Sequence, residues 1–79
     1  MAYEEIPHVE FDGARIYMPE NKINVIKSRE SWTIARIQRE FRIGFNAAEH
    51  LVRYMQSIGV LSDSVDSRGI STYHVKTQQ

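Results

Sequence analysis

Residues 33–59 read TIARIQREFRIGFNAAEHLVRYMQSIG, and two helical stripes separated by a break lie inside them. Thr33 suits an N-cap, because its hydroxyl can accept a free amide of a first helical turn. Ile34, Ile37 and Phe41 follow at i, i+3 and i+7, which places them on one face of a short helix ending near Arg42. Ile43-Gly44-Phe45 interrupts that pattern, and glycine there permits a positive φ and a sharp change of direction. Asn46 is a second candidate cap. Ala48, Leu51, Val52, Met55 and Ile58 then form an apolar stripe, with Gly59 at the position expected of a C-terminal glycine. Asn46, Glu49, His50, Arg53 and Ser57 fall opposite the stripe. The spacing therefore predicts helix, turn, helix.

Working towards the N-terminus, Pro19 suits the first turn of a further helix, since its missing N–H has no intrahelical partner to lose. Ile23, Val25 and Ile26 give that helix an apolar side, and it is expected to stop near Arg29–Ser31. Before it, Val9-Glu10-Phe11 and Arg15-Ile16-Tyr17 alternate around Asp12-Gly13, the pattern of a short hairpin. Towards the C-terminus, Val60-Leu61 reads as a strand and Ser62 to Gly69 as a polar loop. Ile70, Thr72 or Tyr73, and Val75 read as a returning strand. Three helices followed by a β-hairpin make an α+β winged helix-turn-helix. The division expected is an N-terminal extension over 1–19, holding the short hairpin, and a winged-helix domain over 20–79.

The bulk properties narrow the function classes. A chain of 79 residues is one domain with a small core. Without cysteine it has no disulfide, thiolate metal site or cysteine nucleophile. No apolar run approaches the ~20 residues of a membrane span, and Met1-Ala2-Tyr3-Glu4-Glu5 lacks the basic-then-apolar layout of a signal peptide. A cytoplasmic, nucleoid-associated protein is the expectation. The net charge of +0 conceals an asymmetry. Residues 1–21 carry five acidic side chains and Arg15, whereas residues 22–53 carry seven lysines and arginines against three glutamates. A basic middle suits a polyanion, and the acidic start is complementary to it.

If the apolar stripe fixes the last helix on the core, its other face looks outward, where a B-DNA major groove admits a helix. Asn46, His50 and Arg53, at i, i+4 and i+7, share that face. Asn pairs bidentately with adenine and Arg with guanine, His50 can donate to guanine or touch a phosphate, and Glu49 can accept from cytosine N4 or limit non-specific binding. These four are the expected base-contacting residues. Arg36, Arg39 and Arg42 near the turn, and Arg68 at the wing, are the expected phosphate contacts, which position a protein without reading sequence; Arg68 can alternatively enter the minor groove, and Lys27 and Arg29 on the first helix are secondary candidates.

The run Gln38-Arg39-Glu40-Phe41-Arg42-Ile43-Gly44-Phe45-Asn46-Ala47-Ala48 closely resembles the Q-R-x-F-R-I-G-Y-N-R-A motif of the gamma domain. That domain is the C-terminal winged helix of FtsK/SpoIIIE-type DNA translocases. The resemblance extends from about Trp32 to Val75 and includes Met55, Gly59 and Val60, which match the family's M-E-x-x-G-I-V. It implies sequence-specific, orientation-reading binding of double-stranded DNA, and in some bacteria contact with a tyrosine recombinase. Three departures qualify it. The chain has no G-x-x-x-x-G-K-[ST] loop and so no ATPase motor. His50 stands where the family has Arg, and Arg53 where it has Glu, which implies a different target. Residues 1–20 have no counterpart, and Met1 suggests a free-standing product, such as a small regulator or accessory factor of a phage or mobile element.

Nothing points to catalysis. His8, His50 and His74 lack metal-pair spacing, and no nucleophile motif is present, so neither a cofactor nor a metal is expected. The competing reading is a winged helix that binds protein, an adaptor docking through the acidic N-terminal segment with Trp32, Tyr54 and Tyr73, and through an exposed Phe45. A single module reading so short a face binds weakly, which favours dimers or arrays on repeated half-sites.

Overall fold

The two stripes of the central stretch become two helices in the computed structural model, which describes residues 6–76. In chain order the elements are β1 (His8–Phe11), β2 (Ala14–Tyr17), α1 (Pro19–Lys27), β3 (Ser31–Trp32), α2 (Ile34–Phe41), α3 (Phe45–Ser57), β4 (Leu61–Ser67) and β5 (Ile70–Val75). Strands β1 and β2 form an antiparallel hairpin around Asp12-Gly13, with Val9 opposite Ile16. A second, antiparallel sheet has the order β3-β5-β4. The fold is that of an α+β winged helix: three helices, a C-terminal wing and a short N-terminal hairpin.

Local chemistry sets most boundaries. The Thr33 hydroxyl accepts from the Arg36 N–H at 3.2 Å, as the N-cap reading required. Pro19 opens α1. Gly59, at φ 83°, closes α3, and the Val60 N–H donates to the Met55 carbonyl at 2.8 Å. That six-residue loop back onto the helix end is the Schellman arrangement, for which glycine is favoured.

Four expectations are corrected. Gly44 has an extended backbone, φ −77° and ψ 177°, and is itself the residue preceding α3. The left-handed residue of the turn is Arg42, at φ 56°, after which the Ile43 N–H donates to the Gln38 carbonyl at 3.1 Å. Asn46 is therefore inside the first turn of α3 and caps nothing. The polar stretch after Leu61 is strand as far as Ser67, so only Arg68-Gly69 turns the wing. Finally, α1 ends at Lys27, and Ser31–Trp32 pairs with Tyr73 and His74 of β5.

Every helix and both sheets feed one core. Ile16, Ile26, Trp32, Ile37, Ala48, Leu51, Val52, Met55, Val60 and Leu61 are buried, with Val9, Phe11, Phe41, Tyr54 and Tyr73 packed around them. Trp32 places its large ring at the centre, and its indole N–H donates to the Ile26 carbonyl at 2.8 Å, so the polar atom is satisfied. Ile16 is only 5% exposed, which makes the N-terminal hairpin part of the packing around α3. Lys22 ties that hairpin to α1: its ammonium donates to the Tyr17 carbonyl at 2.7 Å, and partial burial pushes its pKa down.

Candidate nucleic-acid interface

Ala48, Leu51, Val52 and Met55 anchor α3. Ile58, expected on the same stripe, is 42% exposed, because it is the residue at which the helix ends. With 3.6 residues per turn, Asn46, His50, Arg53 and Ser57 lie within an arc of roughly 60° on the opposite side. Asn46, Arg53 and Ser57 are exposed and His50 is half-buried. The outward hydrophilic face read from the sequence is thus uncovered along its N-terminal half.

Two β-hairpins bracket this face. On one flank Arg15, Ile16 and Tyr17 of β2 line a shallow cleft of about 210 Å³ with Ile43, Ala47 and Leu51. The tip of that hairpin reaches the C-terminal half of α3. Phe11 meets Tyr54 edge-on at 5.7 Å, and Asp12 pairs with Arg53 at 3.4 Å. On the other flank Glu49, Val52, Arg53 and Gln56 share a cleft of about 380 Å³ with Asp63, Ser64 and Tyr73 of the wing. The Gln56 amide donates to the Ser62 carbonyl at 3.0 Å and fastens the base of the wing to α3. Glu49, half-buried, belongs to this wing-side flank rather than to the central arc.

Hydrogen bonding defines what His50 can offer. Its Nδ1 lies 2.9 Å from the Asn46 carbonyl, an oxygen that can only accept. The proton of the neutral ring is therefore on Nδ1, and Nε2 carries a lone pair. A neutral His50 engaged in this way has Nε2 left as an acceptor for a further partner, whereas the imidazolium would donate from both nitrogens. In the major groove the matching donors are adenine N6 and cytosine N4.

The phosphate candidates lie around the turn and at the wing tip. Arg36, Arg39 and Arg42 recur every third residue and are exposed, and Arg68 is exposed in the β4–β5 turn at φ 55°. Salt bridges among the described residues join Arg15 to Glu10 and Arg53 to Asp12, so these four guanidinium groups are not neutralised by a neighbouring carboxylate. The wing itself carries exposed Asp63 and Asp66, the latter accepting from the Ser71 hydroxyl at 2.8 Å. Only its tip is positive.

The aromatic part of the docking patch in the competing reading does not form, and residues 1–5 of its acidic segment lie outside the described residues. Trp32 is buried, and Tyr54 and Tyr73 are half-buried in the packing. Phe45 is exposed, at 54%. Among the described residues no group of histidines and carboxylates could hold a metal, and no helix is long and apolar enough to cross a membrane.

Sequence reasoning missed Asp12. The pair it makes spans 41 positions, and the only advance signal was an acidic segment opposite a basic one.

No family model matches the chain, and no solved structure matches it. The chain is 32% identical over 66 residues to a DNA translocase FtsK of Lactiplantibacillus plantarum. The match takes in 84% of this chain and 8% of the translocase, so the chain spans under a tenth of that relative's length. This similarity relates the chain in sequence to FtsK-type domains.

Proposed function

We propose that the protein binds double-stranded DNA sequence-specifically, with α3 in the major groove and the wing tip on the backbone. The observation that carries the reading is the outward arc of Asn46, His50 and Arg53 on a helix anchored by four buried residues, beside arginines at the preceding turn that pair with no carboxylate among the described residues. Asn46 would address adenine, Arg53 guanine, and His50 an exocyclic amine. Glu49, towards the wing, would accept from a cytosine at the edge of the site. Arg36, Arg39, Arg42 and Arg68 would hold phosphates. Kinship with an FtsK-type protein, whose name makes it a translocase of DNA, supports the same reading, as does the gamma-domain motif at residues 38–48. The role that fits is a regulator or accessory factor of a phage or mobile element. It would act as a dimer or array on repeated half-sites, in the cytoplasm on the nucleoid. Exposed Phe45 favours a second, compatible role as an adaptor for a tyrosine recombinase or another DNA-bound protein.

Selection of bound duplexes from a random pool tests this. A consensus of a few base pairs should emerge, and Asn46→Ala should relax one position of it at a cost of ~1–3 kcal/mol. Arg39→Ala should weaken all duplexes alike and flatten the salt dependence by ~0.9 in the log–log slope. An unenriched pool, with Asn46→Ala indistinguishable from the parent, would end the proposal.

A further inference from the structure

The arginine on the reading face of α3 is paired with a carboxylate from the N-terminal hairpin. Asp12 and Arg53 meet at 3.4 Å through one guanidinium nitrogen, and both side chains are more than half exposed. Among the described residues Arg36, Arg39, Arg42 and Arg68 have no such partner. Glu49, one turn before Arg53 and on the same cleft, does not pair with it.

We propose that Asp12 is a positioning residue for DNA reading: it holds Arg53 for a base edge and makes it a poor partner for phosphate. The inference rests on the reading of α3 as the DNA-contacting helix. Its physical basis is the difference between the two acceptors. Guanine O6 and N7 are neutral, so an arginine whose charge is balanced by a carboxylate still donates to them through its remaining N–H groups. A phosphate is held chiefly by net positive charge and by release of counterions, which a balanced pair supplies poorly. The carboxylate also repels a phosphate that approaches the same nitrogen.

Geometry favours this over a removable lid. The hairpin bearing Asp12 is fixed by buried Ile16 and by the Phe11–Tyr54 contact. Its tip therefore stays beside Arg53 whether or not DNA is bound. An exposed pair of this kind is too weak to withhold Arg53 from a duplex. It is enough to bias a side chain with many rotamers. Asp12 itself sits at φ 54°, a conformation in which aspartate, asparagine and glycine are tolerated.

That backbone dictates the variants. Asp12→Asn removes the charge and keeps an acceptor, and Asp12→Gly removes the side chain without strain. Both are compared with Arg53→Ala on the selected duplex, on duplexes changed at each base pair, and across salt. Arg53→Ala should abolish preference at one position. Both Asp12 variants should lower preference at that same position fivefold or more, tighten binding to unrelated duplexes, and steepen the salt slope by up to ~0.9. An Arg53 effect with no change of preference in either Asp12 variant overturns the role of Asp12 and leaves DNA reading intact. Equal tightening for every duplex, with preference kept, overturns it in favour of a plain electrostatic brake. No effect of Arg53→Ala overturns both the role of Asp12 and the base contact assigned to Arg53.

Discussion

Arg42 carries two opposed demands. Its φ of 56° is a conformation that costs a residue with a Cβ ~1–2 kcal/mol, and glycine is the usual occupant at such a helix end. The side chain is nonetheless exposed, with no salt bridge among the described residues, at the turn where a DNA backbone would pass. Arg42→Gly should therefore raise thermal stability by ~0.5–1 kcal/mol while weakening DNA binding without altering base preference. Thermal melts and binding isotherms on the same sample check both halves. Unchanged affinity would remove Arg42 from the backbone contacts, and a loss of stability would contradict the strain. Neighbouring Gly44 shows why single residues misread. A glycine in a break invited a positive φ, yet the left-handed residue of the turn is Arg42, two positions earlier, and Asn46, read as a cap, is released to face outward. His50 teaches a similar lesson. Its residue type leaves the tautomer open, and only the carbonyl of Asn46 settles which nitrogen is presented.

At the scale of elements, what the sequence revealed depended on whether side chains or backbone made the structure. The helices were legible because burial imposes a period: Ile34, Ile37 and Phe41, then Ala48, Leu51, Val52 and Met55, all pack inward. The wing was legible at its ends and hidden in its middle. Ser64 to Ser67 pairs with β5 beyond an irregularity after Leu61, with exposed Asp63, Val65 and Asp66 contributing no alternation that a core would require. Two-residue β3 is held by Trp32, whose burial secures a strand too short to announce itself. The N-terminal hairpin was visible from Asp12-Gly13, but its docking on α3 was not, since no local pattern encodes a contact between segments so far apart. That docking has a measurable consequence. Ile16→Ala should destabilise the whole domain by ~2–4 kcal/mol, as for other buried isoleucines. Urea unfolding gives the value. A change under ~0.5 kcal/mol would mean that the hairpin is an appendage and that Asp12 is free to leave Arg53.

For the whole molecule, one end gathers what a duplex would need. Asn46, His50 and Arg53 face outward between two hairpins, with the α2–α3 turn and the tip of the wing supplying positive charge. A second basic group, Lys27, Arg29 and Lys76 with His74, lines a cleft at the other end of β5, away from the wing turn. Charge alone does not distinguish the two ends, and the location of the bound duplex does. The direct measurement is an amide chemical-shift titration of the labelled protein with a duplex bearing the selected sequence. Perturbation centred on residues 42–53 and on Arg68, with little at residues 27–30 and 74–76, is the predicted result. Perturbation confined to that opposite cleft, with the amides of Asn46, His50 and Arg53 unmoved, would contradict it.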